Sequence, residues 1–186
     1  MRIVAGRFRG LALAEVGRGD PAAHLRPTSD RVRESLFNVL SGGRHGDPVT
    51  GARVLDLFAG TGALGLEALS RGAGHATFVE RGAPALALLR RNIAKTRTED
   101  ETSVLVRDAT RLGPCPVAPF TLVFLDPPYG KGLGVAALAE ARTGGWLAPG
   151  ALVVWEEEAP QSAPEGFTLA EVRRYGGTHV TLLAAT

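Results

Sequence analysis

The chain has 186 residues, of which 45% are apolar and 22% are charged, and its net charge is +2. These values are ordinary for a folded globular protein and exclude a disordered chain. The lone Cys115 excludes an internal disulfide, and no Cys/His cluster has zinc-site spacing, so we expect no metal site. No apolar run reaches the roughly 20 residues that cross a bilayer, and no signal-peptide core follows the N-terminus. We therefore expect a cytoplasmic protein without a membrane segment.

Basic residues are concentrated at the start of the chain, where few acidic residues oppose them. The arginines of this stretch are Arg2, Arg7, Arg9, Arg18, Arg26, Arg31 and Arg33. Such an asymmetry is typical of contact with a polyanion, but a solvated basic face gives the same pattern. Charge alone therefore leaves both interpretations open.

The first 50 residues predict a small extension. Arg2–Ala5 and Leu11–Ala14 have strand composition and surround a glycine-flanked turn, which predicts a β-hairpin. A loop follows, and Thr28, Ser29 or Asp30 is expected to cap the next helix.

That helix is predicted to be amphipathic. Its apolar face contains Val32, Leu36, Val39 and Leu40. Arg31 and Arg33 lie off this face in the helical projection, and a glycine pair ends the helix.

From Gly51 onward, strands alternate with helices. The predicted strands are Arg53–Leu57, His75–Glu80, Ser103–Val106, Phe120–Leu125, Ala151–Trp155, Phe167–Arg174 and His179–Leu183. The predicted helices are Ala63–Ser70, Pro84–Ala94 and Val135–Arg142. This alternation predicts an α/β protein, in which helices cover both faces of a parallel sheet. The last two strands, joined by a glycine pair, add an antiparallel edge hairpin.

A glycine-rich loop, Asp56–Gly62, joins the first of these strands to a helix. Its glycines let the backbone turn tightly and approach a ligand closely. The helix N-terminus presents free N–H groups to a carboxylate or phosphate. Glu80 closes the next strand, about 20 residues further on, where a carboxylate can accept both ribose hydroxyls. The loop by itself fits either NAD or S-adenosylmethionine.

Two aspartates favour S-adenosylmethionine. Asp56 ends the first strand, where it would repel a pyrophosphate but could pair with the amino group of a methionine moiety. Asp108 follows the third strand and could accept a hydrogen bond from the adenine amino group. A plain turn without a ligand is disfavoured, because the loop and these carboxylates all fall at C-terminal strand ends, where open parallel sheets bind ligands.

A second motif, Asp126-Pro127-Pro128-Tyr129, ends the buried strand Phe120–Leu125. The two prolines stop the strand and fix a rigid turn. The Asp126 carboxylate and the Pro127 carbonyl could each accept one N–H of an exocyclic base amine, which favours a pyramidal nitrogen with its lone pair aimed at a methyl donor. Tyr129 could stack on the base, and such stacking contributes roughly 1–3 kcal/mol. The motif thus indicates methyl transfer to a base amine, helped by positioning and electrostatics.

These motifs resemble class I methyltransferases that act on amino groups of nucleic-acid bases, and more of the chain resembles the RsmD family. The matching stretches are Arg2–Gly10, Leu25–Asn38, Asp56–Gly72, Asp126–Tyr129 and Lys131–Leu133. The resemblance implies a Rossmann-like class I methyltransferase fold. Its mostly parallel seven-stranded sheet has an antiparallel C-terminal edge hairpin, and a small N-terminal β-hairpin and helix are added. Residues 1–50 would form the extension that contacts RNA and covers the cofactor, and residues 51–186 the catalytic domain.

By resemblance, the reaction is S-adenosylmethionine-dependent methylation of the exocyclic N2 of one guanine in 16S ribosomal RNA, in a hairpin loop near the P site. The expected partner is an assembled or late-assembling small ribosomal subunit, and the enzyme is expected to be a monomer. The implied catalytic residues are Asp126, Pro127, Pro128 and Tyr129. The implied cofactor-binding residues are Thr28, Asp56, Phe58, Ala59, Gly60, Thr61, Gly62, Glu80, Arg81, Asp108 and Ala109. The implied RNA-binding residues are Arg2, Arg7, Arg9, Arg26, Arg31 and Arg33.

Other functions stay open. A DNA adenine-N6 methyltransferase would use the same motif, although the chain leaves no room for a separate sequence-reading domain. An NAD-dependent oxidoreductase fits the glycine loop but has no obvious hydride-transfer partner, and an RNA-binding module without catalysis is disfavoured by the intact Asp126–Tyr129. Glu156–Glu158 is predicted to be a solvated loop, and Trp146 and Trp155 are predicted to pack in the core.

Overall fold

The strands of the chain form one seven-stranded sheet. A computed structural model describes residues 1–15 and 29–186. The strands are β1 (Arg53–Leu57), β2 (His75–Glu80), β3 (Thr102–Val106), β4 (Phe120–Leu125), β5 (Leu147–Glu157), β6 (Phe167–Tyr175) and β7 (Thr178–Ala185). The helices are α1 (Asp30–Ser41), α2 (Ala63–Ser70), α3 (Ala83–Thr96) and α4 (Leu133–Thr143). Across the sheet the strand order is β3-β2-β1-β4-β5-β7-β6.

The sheet is parallel except at one edge. β1 pairs in parallel with both β2 and β4, and β4 pairs in parallel with β5. β7 is antiparallel to β5 and forms a hairpin with β6. The strand order reverses between β1 and β4, and a cleft forms at such a point beyond the carboxyl ends of the strands. The prediction of a mostly parallel sheet with a C-terminal edge hairpin is confirmed.

The sheet separates two hydrophobic clusters because successive residues of a strand face opposite sides. Val54 of β1 packs in the cluster formed with α1, α2 and α3, whereas Leu55 packs in the cluster formed with α4. Trp146 and Trp155 are buried in the α4 cluster, so their predicted packing role is confirmed. Within the described ranges, no helix combines the length and apolarity that a membrane span requires.

The N-terminal hairpin is shorter than predicted. Arg2 and Ala12 form an isolated antiparallel bridge, and the Ile3 amide donates to the Leu11 carbonyl at 3.0 Å. The two regular strands expected there are absent from the described residues 1–15. The reason is that the Val4 and Ala5 amides donate to the Glu67 carboxylate of α2, at 2.8 and 3.0 Å, instead of pairing across the hairpin.

Helix α1 buries Leu36 and Leu40 as predicted, but its buried face is shifted towards Arg33 and Phe37 and away from Val32. Ser29 caps it, with its side-chain oxygen accepting from the Val32 amide at 3.3 Å. The buried residues of α1 are Arg33, Leu36, Phe37 and Leu40. Arg33 is 0% exposed, and its guanidinium lies 2.8 Å from Asp30 and 3.5 Å from Glu67. The prediction that Arg33 binds RNA is therefore wrong, since its charge is neutralised inside the protein.

Candidate active site at the C-terminal edge of the sheet

A cleft of about 870 Å³ opens beyond the carboxyl ends of the parallel strands. This volume is within the range of pockets that bind small molecules. The predicted site residues that line it are Asp56, Phe58, Ala59, Gly60, Thr61, Glu80, Arg81, Asp108, Ala109, Asp126, Pro127, Pro128 and Tyr129. Gly62 caps α2 directly behind this lining. Thr28 lies outside the described residues.

The glycine-rich loop turns sharply between β1 and α2. Phe58, Gly60 and Gly62 have φ angles of 59°, 56° and 78°, in the left-handed region that favours glycine. The non-glycine Phe58 is thus held in a strained conformation at the cleft. The loop is fixed on its other side by the Glu80 carboxylate, which accepts from the Gly60 amide at 2.9 Å. Together these contacts bring the backbone of the loop to the wall of the cleft.

Asp56 lies beneath this loop and is only 2% exposed. Its carboxyl accepts from the Gly65 amide in the first turn of α2, at 3.0 Å. Burial raises the pKa of Asp56 to about 8, and the nearby Glu80 charge adds to this rise, while the Gly65 hydrogen bond opposes it. Asp56 is therefore mainly protonated at neutral pH until a cation is placed beside it.

The far side of the cleft holds two further carboxylates. Glu80 also accepts from the Arg81 and Gly82 amides, at 2.8 and 2.7 Å, so its orientation is fixed by backbone donors. Asp108 accepts from the Thr110 amide and hydroxyl and from Arg81 Nη1, the last at 2.7 Å. The hydrogen bonds from Thr110 hold the pKa of Asp108 below its usual value, so this carboxylate stays ionised. Both groups are ready to accept hydrogen bonds from hydroxyl or amino groups of a ligand.

Asp126 begins the turn after β4 and is partly open to the cleft. The β1–β4 register pairs Leu57 with Leu125, so the loop after β1 and the turn after β4 start side by side. Burial raises the pKa of Asp126 well above its usual value, and the charges of Glu156, Asp56 and Glu157 raise it further. The Asp126 carboxyl group is therefore stabilised when it shares a proton with a ligand or accepts hydrogen bonds from one.

Tyr129 is held by residues that the sequence analysis missed. Its hydroxyl donates to Glu156 Oε1 at 3.0 Å and lies 3.4 Å from Thr178 Oγ1 of β7. The prediction that Glu156–Glu158 is a solvated loop is wrong for Glu156 and Glu157, since both belong to β5 and are buried. The predicted strand ends contained a signal for Glu156. If the strand that ends at Trp155 is a parallel neighbour of β4, the residue after Trp155 lies beside Asp126.

The cleft has further lining residues that the sequence analysis did not assign to the site. They are Met1, Glu15, Ala63, Leu64, Val79, Gly82, Pro84, Ala85, Arg107, Lys131, Leu133 and Glu158. Lys131 and Arg107 are exposed, so the rim of the cleft carries positive charge beside its carboxylates. No spacing in the sequence indicates Arg107, whereas Lys131 follows the Asp126–Tyr129 turn closely.

The predicted RNA-binding arginines differ in how far their side chains are exposed. Arg2, Arg7, Arg9 and Arg31 are exposed. Arg2 lies 3.7 Å from Asp30, and Arg7 pairs with Glu101, so both charges are partly balanced within the protein. Arg26 lies outside the described residues, and Arg33 is buried as described above. The surface available to a polyanion is thus smaller than the arginine count indicates.

The sheet order and the cleft beyond β1 and β4 define a Rossmann-like class I methyltransferase. A family model described as Conserved hypothetical protein 95 matches residues 1–184. Ribosomal RNA small subunit methyltransferase D of Escherichia coli strain K12 is 38% identical over 88% of this chain and 78% of that protein. The Haemophilus influenzae protein of the same name is 35% identical over 95% of this chain and 89% of its own. The solved Escherichia coli structure of yhhF superposes with a TM-score of 0.80 at 35% identity, covering 100% of this chain and 97% of that one.

The chain therefore belongs to the RsmD family, to which the family model and these relatives assign it over most of its length.

Proposed function

We propose that this protein transfers a methyl group from S-adenosylmethionine to the exocyclic N2 of one guanine in 16S ribosomal RNA, in the hairpin loop near the P site of the small subunit. The observation that carries the proposal is the Asp126–Tyr129 turn, which opens into the same cleft as the glycine-rich loop. A base amine in that turn and a cofactor on that loop would meet between β1 and β4. The relatives named above support ribosomal RNA of the small subunit as the substrate.

The cofactor assignment is supported by the charges of the cleft. The bound cofactor would supply a methyl group on a sulfonium centre. Asp56 would pair with the amino group of its methionine moiety, Glu80 would accept its ribose hydroxyls, and Asp108 would accept from its adenine amino group. A pyrophosphate is disfavoured in this place because its negative charge would lie beside the Glu80 carboxylate and beside Asp56, whose ionised form is already disfavoured by burial and by the Glu80 charge. The NAD alternative is weakened for that reason.

The catalytic turn would act on the nucleophile. Asp126 and the Pro127 carbonyl each accept one N–H of the guanine amine, so that the nitrogen lone pair is freed from the ring and aimed at the methyl group. In such a transfer the N–C bond would form as the sulfur–methyl bond breaks, which leaves the neutral thioether S-adenosylhomocysteine, and the positively charged nitrogen would then lose a proton. The raised pKa of Asp126 makes this carboxylate a suitable acceptor for it. Tyr129 would stack on the base and hold its plane.

The substrate RNA would meet the protein at its N-terminal surface. Exposed arginines at the N-terminus would contact phosphates of the RNA, and phosphate contacts position a nucleic acid without selecting its sequence. We therefore propose that the folded small subunit, rather than naked RNA, presents the guanine. A monomeric enzyme acting on a particle of this size needs the base to be accessible in a loop or flipped from its stack.

The proposal is tested by transfer of a labelled methyl group from S-adenosylmethionine. The substrates are small subunits from cells that lack this protein, naked 16S ribosomal RNA, and duplex DNA. We expect label on the subunits, less on the naked RNA, and none on DNA. Label on duplex DNA alone would support the adenine-N6 alternative instead.

A further inference from the structure

Two buried glutamates lie behind the catalytic turn. β4 and β5 run in parallel, and their register pairs Leu125 with Trp155. Asp126 follows Leu125 and Glu156 follows Trp155, so Asp126 and Glu156 lie side by side at the edge of the sheet. Glu156 and Glu157 are 6% and 7% exposed, which is unusual for glutamates. Burial of two carboxyls beside a third needs a compensating role.

Each glutamate accepts a hydrogen bond from the turn or from the residue that follows it. Glu156 Oε1 accepts from the Tyr129 hydroxyl at 3.0 Å. Glu157 Oε1 accepts from the Gly130 amide at 3.3 Å, directly after the tyrosine. The Tyr129 hydroxyl is also 3.4 Å from Thr178 Oγ1. The tyrosine is thus tied at its hydroxyl end and at the next peptide, which restricts rotation of the ring about its own side-chain bonds.

Thr178 brings the C-terminal hairpin into this arrangement. It begins β7, which is antiparallel to β5 and pairs Val180 with Glu156. The backbone of Glu156 is therefore held by β7 on one side and lies beside the turn after β4 on the other. A carboxylate in such a place has few alternative orientations, unlike one on a loop.

We propose that Glu156 is a positioning residue, whose carboxylate holds the Tyr129 hydroxyl so that the aromatic ring keeps one orientation beside Asp126 for the target base. This inference rests on the proposed function, because the base is what the ring orients. Glu156 acts through Tyr129 and contacts no reacting atom. Its charge has a second effect, since burial raises the pKa of Asp126 and the charges of Glu156, Asp56 of β1 and Glu157 raise it further.

The kinetic test compares Glu156→Ala, Glu156→Gln, Tyr129→Phe and the double variant Glu156→Ala/Tyr129→Phe on small subunits. Misplacing the ring should lower kcat of Glu156→Ala roughly tenfold, with the KM for S-adenosylmethionine unchanged. The double variant should lose no more than Glu156→Ala alone, because both changes break one hydrogen bond. Losses that multiply in the double variant would overturn the inference. Glu165→Gln, an exposed glutamate paired with Arg142, is the matched control and should leave kcat unchanged.

Glu156→Gln separates the charge from the hydrogen bond. The amide oxygen can still accept from the Tyr129 hydroxyl, so most of kcat should be rescued. One negative neighbour of Asp126 is lost, so the pKa of Asp126 falls and the acidic limb of the kcat–pH profile should move to lower pH. A residue that served only to stabilise the fold would not move this limb. An acidic limb in the same place as that of the unaltered protein contradicts the inference.

A substrate-independent measurement distinguishes failure of this inference from failure of the proposed function. The chain has two tyrosines, so ring-labelled tyrosine gives two sets of NMR signals, and Tyr175→Phe assigns them. Glu156→Ala should shift and average the Tyr129 ring signals, and Glu156→Gln should largely preserve them. Unchanged Tyr129 signals in Glu156→Ala overturn the inference whether or not methyl transfer occurs. Shifted signals in a protein that methylates no RNA would uphold the positioning contact and reject the proposed function.

Discussion

At the scale of single residues, the site combines carboxyl groups in two opposite electrostatic states. Backbone and hydroxyl donors keep the pKa of Asp108 low, whereas burial raises the pKa of Asp56 to about 8. The pKa of Asp126 is raised as well, because Asp126 is buried and the charges of three neighbouring carboxylates add to the effect. The ionised group is thus ready to accept hydrogen bonds from a neutral ligand. Asp56 and Asp126 become ionised only when a ligand places a cation or a hydrogen-bond-donating amine beside them.

Cofactor binding should therefore release a proton near neutral pH. In the free protein Asp56 is mainly protonated below its pKa of about 8, and the ammonium group of the ligand would favour the ionised form. The affinity for S-adenosylhomocysteine, which has the same ammonium group, should rise as the pH increases from 6 towards 8. Calorimetry in buffers of different ionisation enthalpy measures the released protons. Asp56→Asn should bind more weakly and without this release, and the same release in that variant would contradict the assignment.

How far the sequence predicts the site depends on how local each signal is. Asp56, Asp126 and Tyr129 belong to short motifs at strand ends, and the structure brings them to one cleft as expected. Glu156 was missed because its role depends on pairing of β4 with a strand that comes more than 20 residues later, and a run of glutamates has the composition of a surface loop. Arg33 was misassigned because helical periodicity cannot show that Glu67 is buried opposite it.

At the scale of elements, α2 connects the cofactor loop to the sheet by close packing. A side-chain methyl on Gly65 would lie 2.4 Å from the Phe78 ring and 3.1 Å from Asp56 Oδ2. Helix α2 can therefore approach β1 and β2 this closely only with glycine at that position. The bounds of α2 and of β1, β2 and β4 are those that the sequence predicts, because each is largely apolar and has a glycine, proline or charged residue close to both of its ends.

Gly65→Ala should damage both the packing and the site. Overpacking of a well-filled core costs about 1–3 kcal/mol, and the displaced Asp56 carboxyl should weaken cofactor binding as well. Urea denaturation and calorimetry with S-adenosylhomocysteine measure the two effects. Gly177→Ala is the matched control, since no atom lies within 4 Å of a methyl group there and its φ is not in the left-handed region. Equal stability of the two variants would contradict the packing argument.

At the scale of the whole molecule, one buried carboxylate makes several of the contacts that attach the N-terminal extension to the rest of the protein. Glu67 of α2 is 0% exposed, accepts from the Val4 and Ala5 amides, and pairs with Arg71 at 2.8 Å and Arg33 at 3.5 Å. Apolar residues of the extension share the cluster of α2 and α3. The division at residue 50 therefore stays a prediction about function, and we propose that both parts unfold together.

Glu67→Ala should destabilise the protein by about 3–5 kcal/mol, because it leaves the buried Arg33 charge without one partner and two amides without an acceptor. The free energy of unfolding from urea denaturation, followed by tryptophan fluorescence and circular dichroism, measures this loss. A single shared transition is expected for both signals. Glu165→Ala removes a glutamate from an exposed pair with Arg142 and should leave the midpoint unchanged. An equally small effect of Glu67→Ala would show that the extension is held by its other contacts.

The central claim is that the Asp126–Tyr129 turn methylates the N2 of a guanine in the small subunit. The most direct measurement is nucleoside analysis of 16S ribosomal RNA from subunits incubated with labelled S-adenosylmethionine and either the unaltered protein or Asp126→Ala. We predict that the label appears as N2-methylguanosine with the unaltered protein and is lost with Asp126→Ala, although that variant still binds S-adenosylhomocysteine. Label in another nucleoside, or undiminished N2-methylguanosine with Asp126→Ala, would contradict the claim.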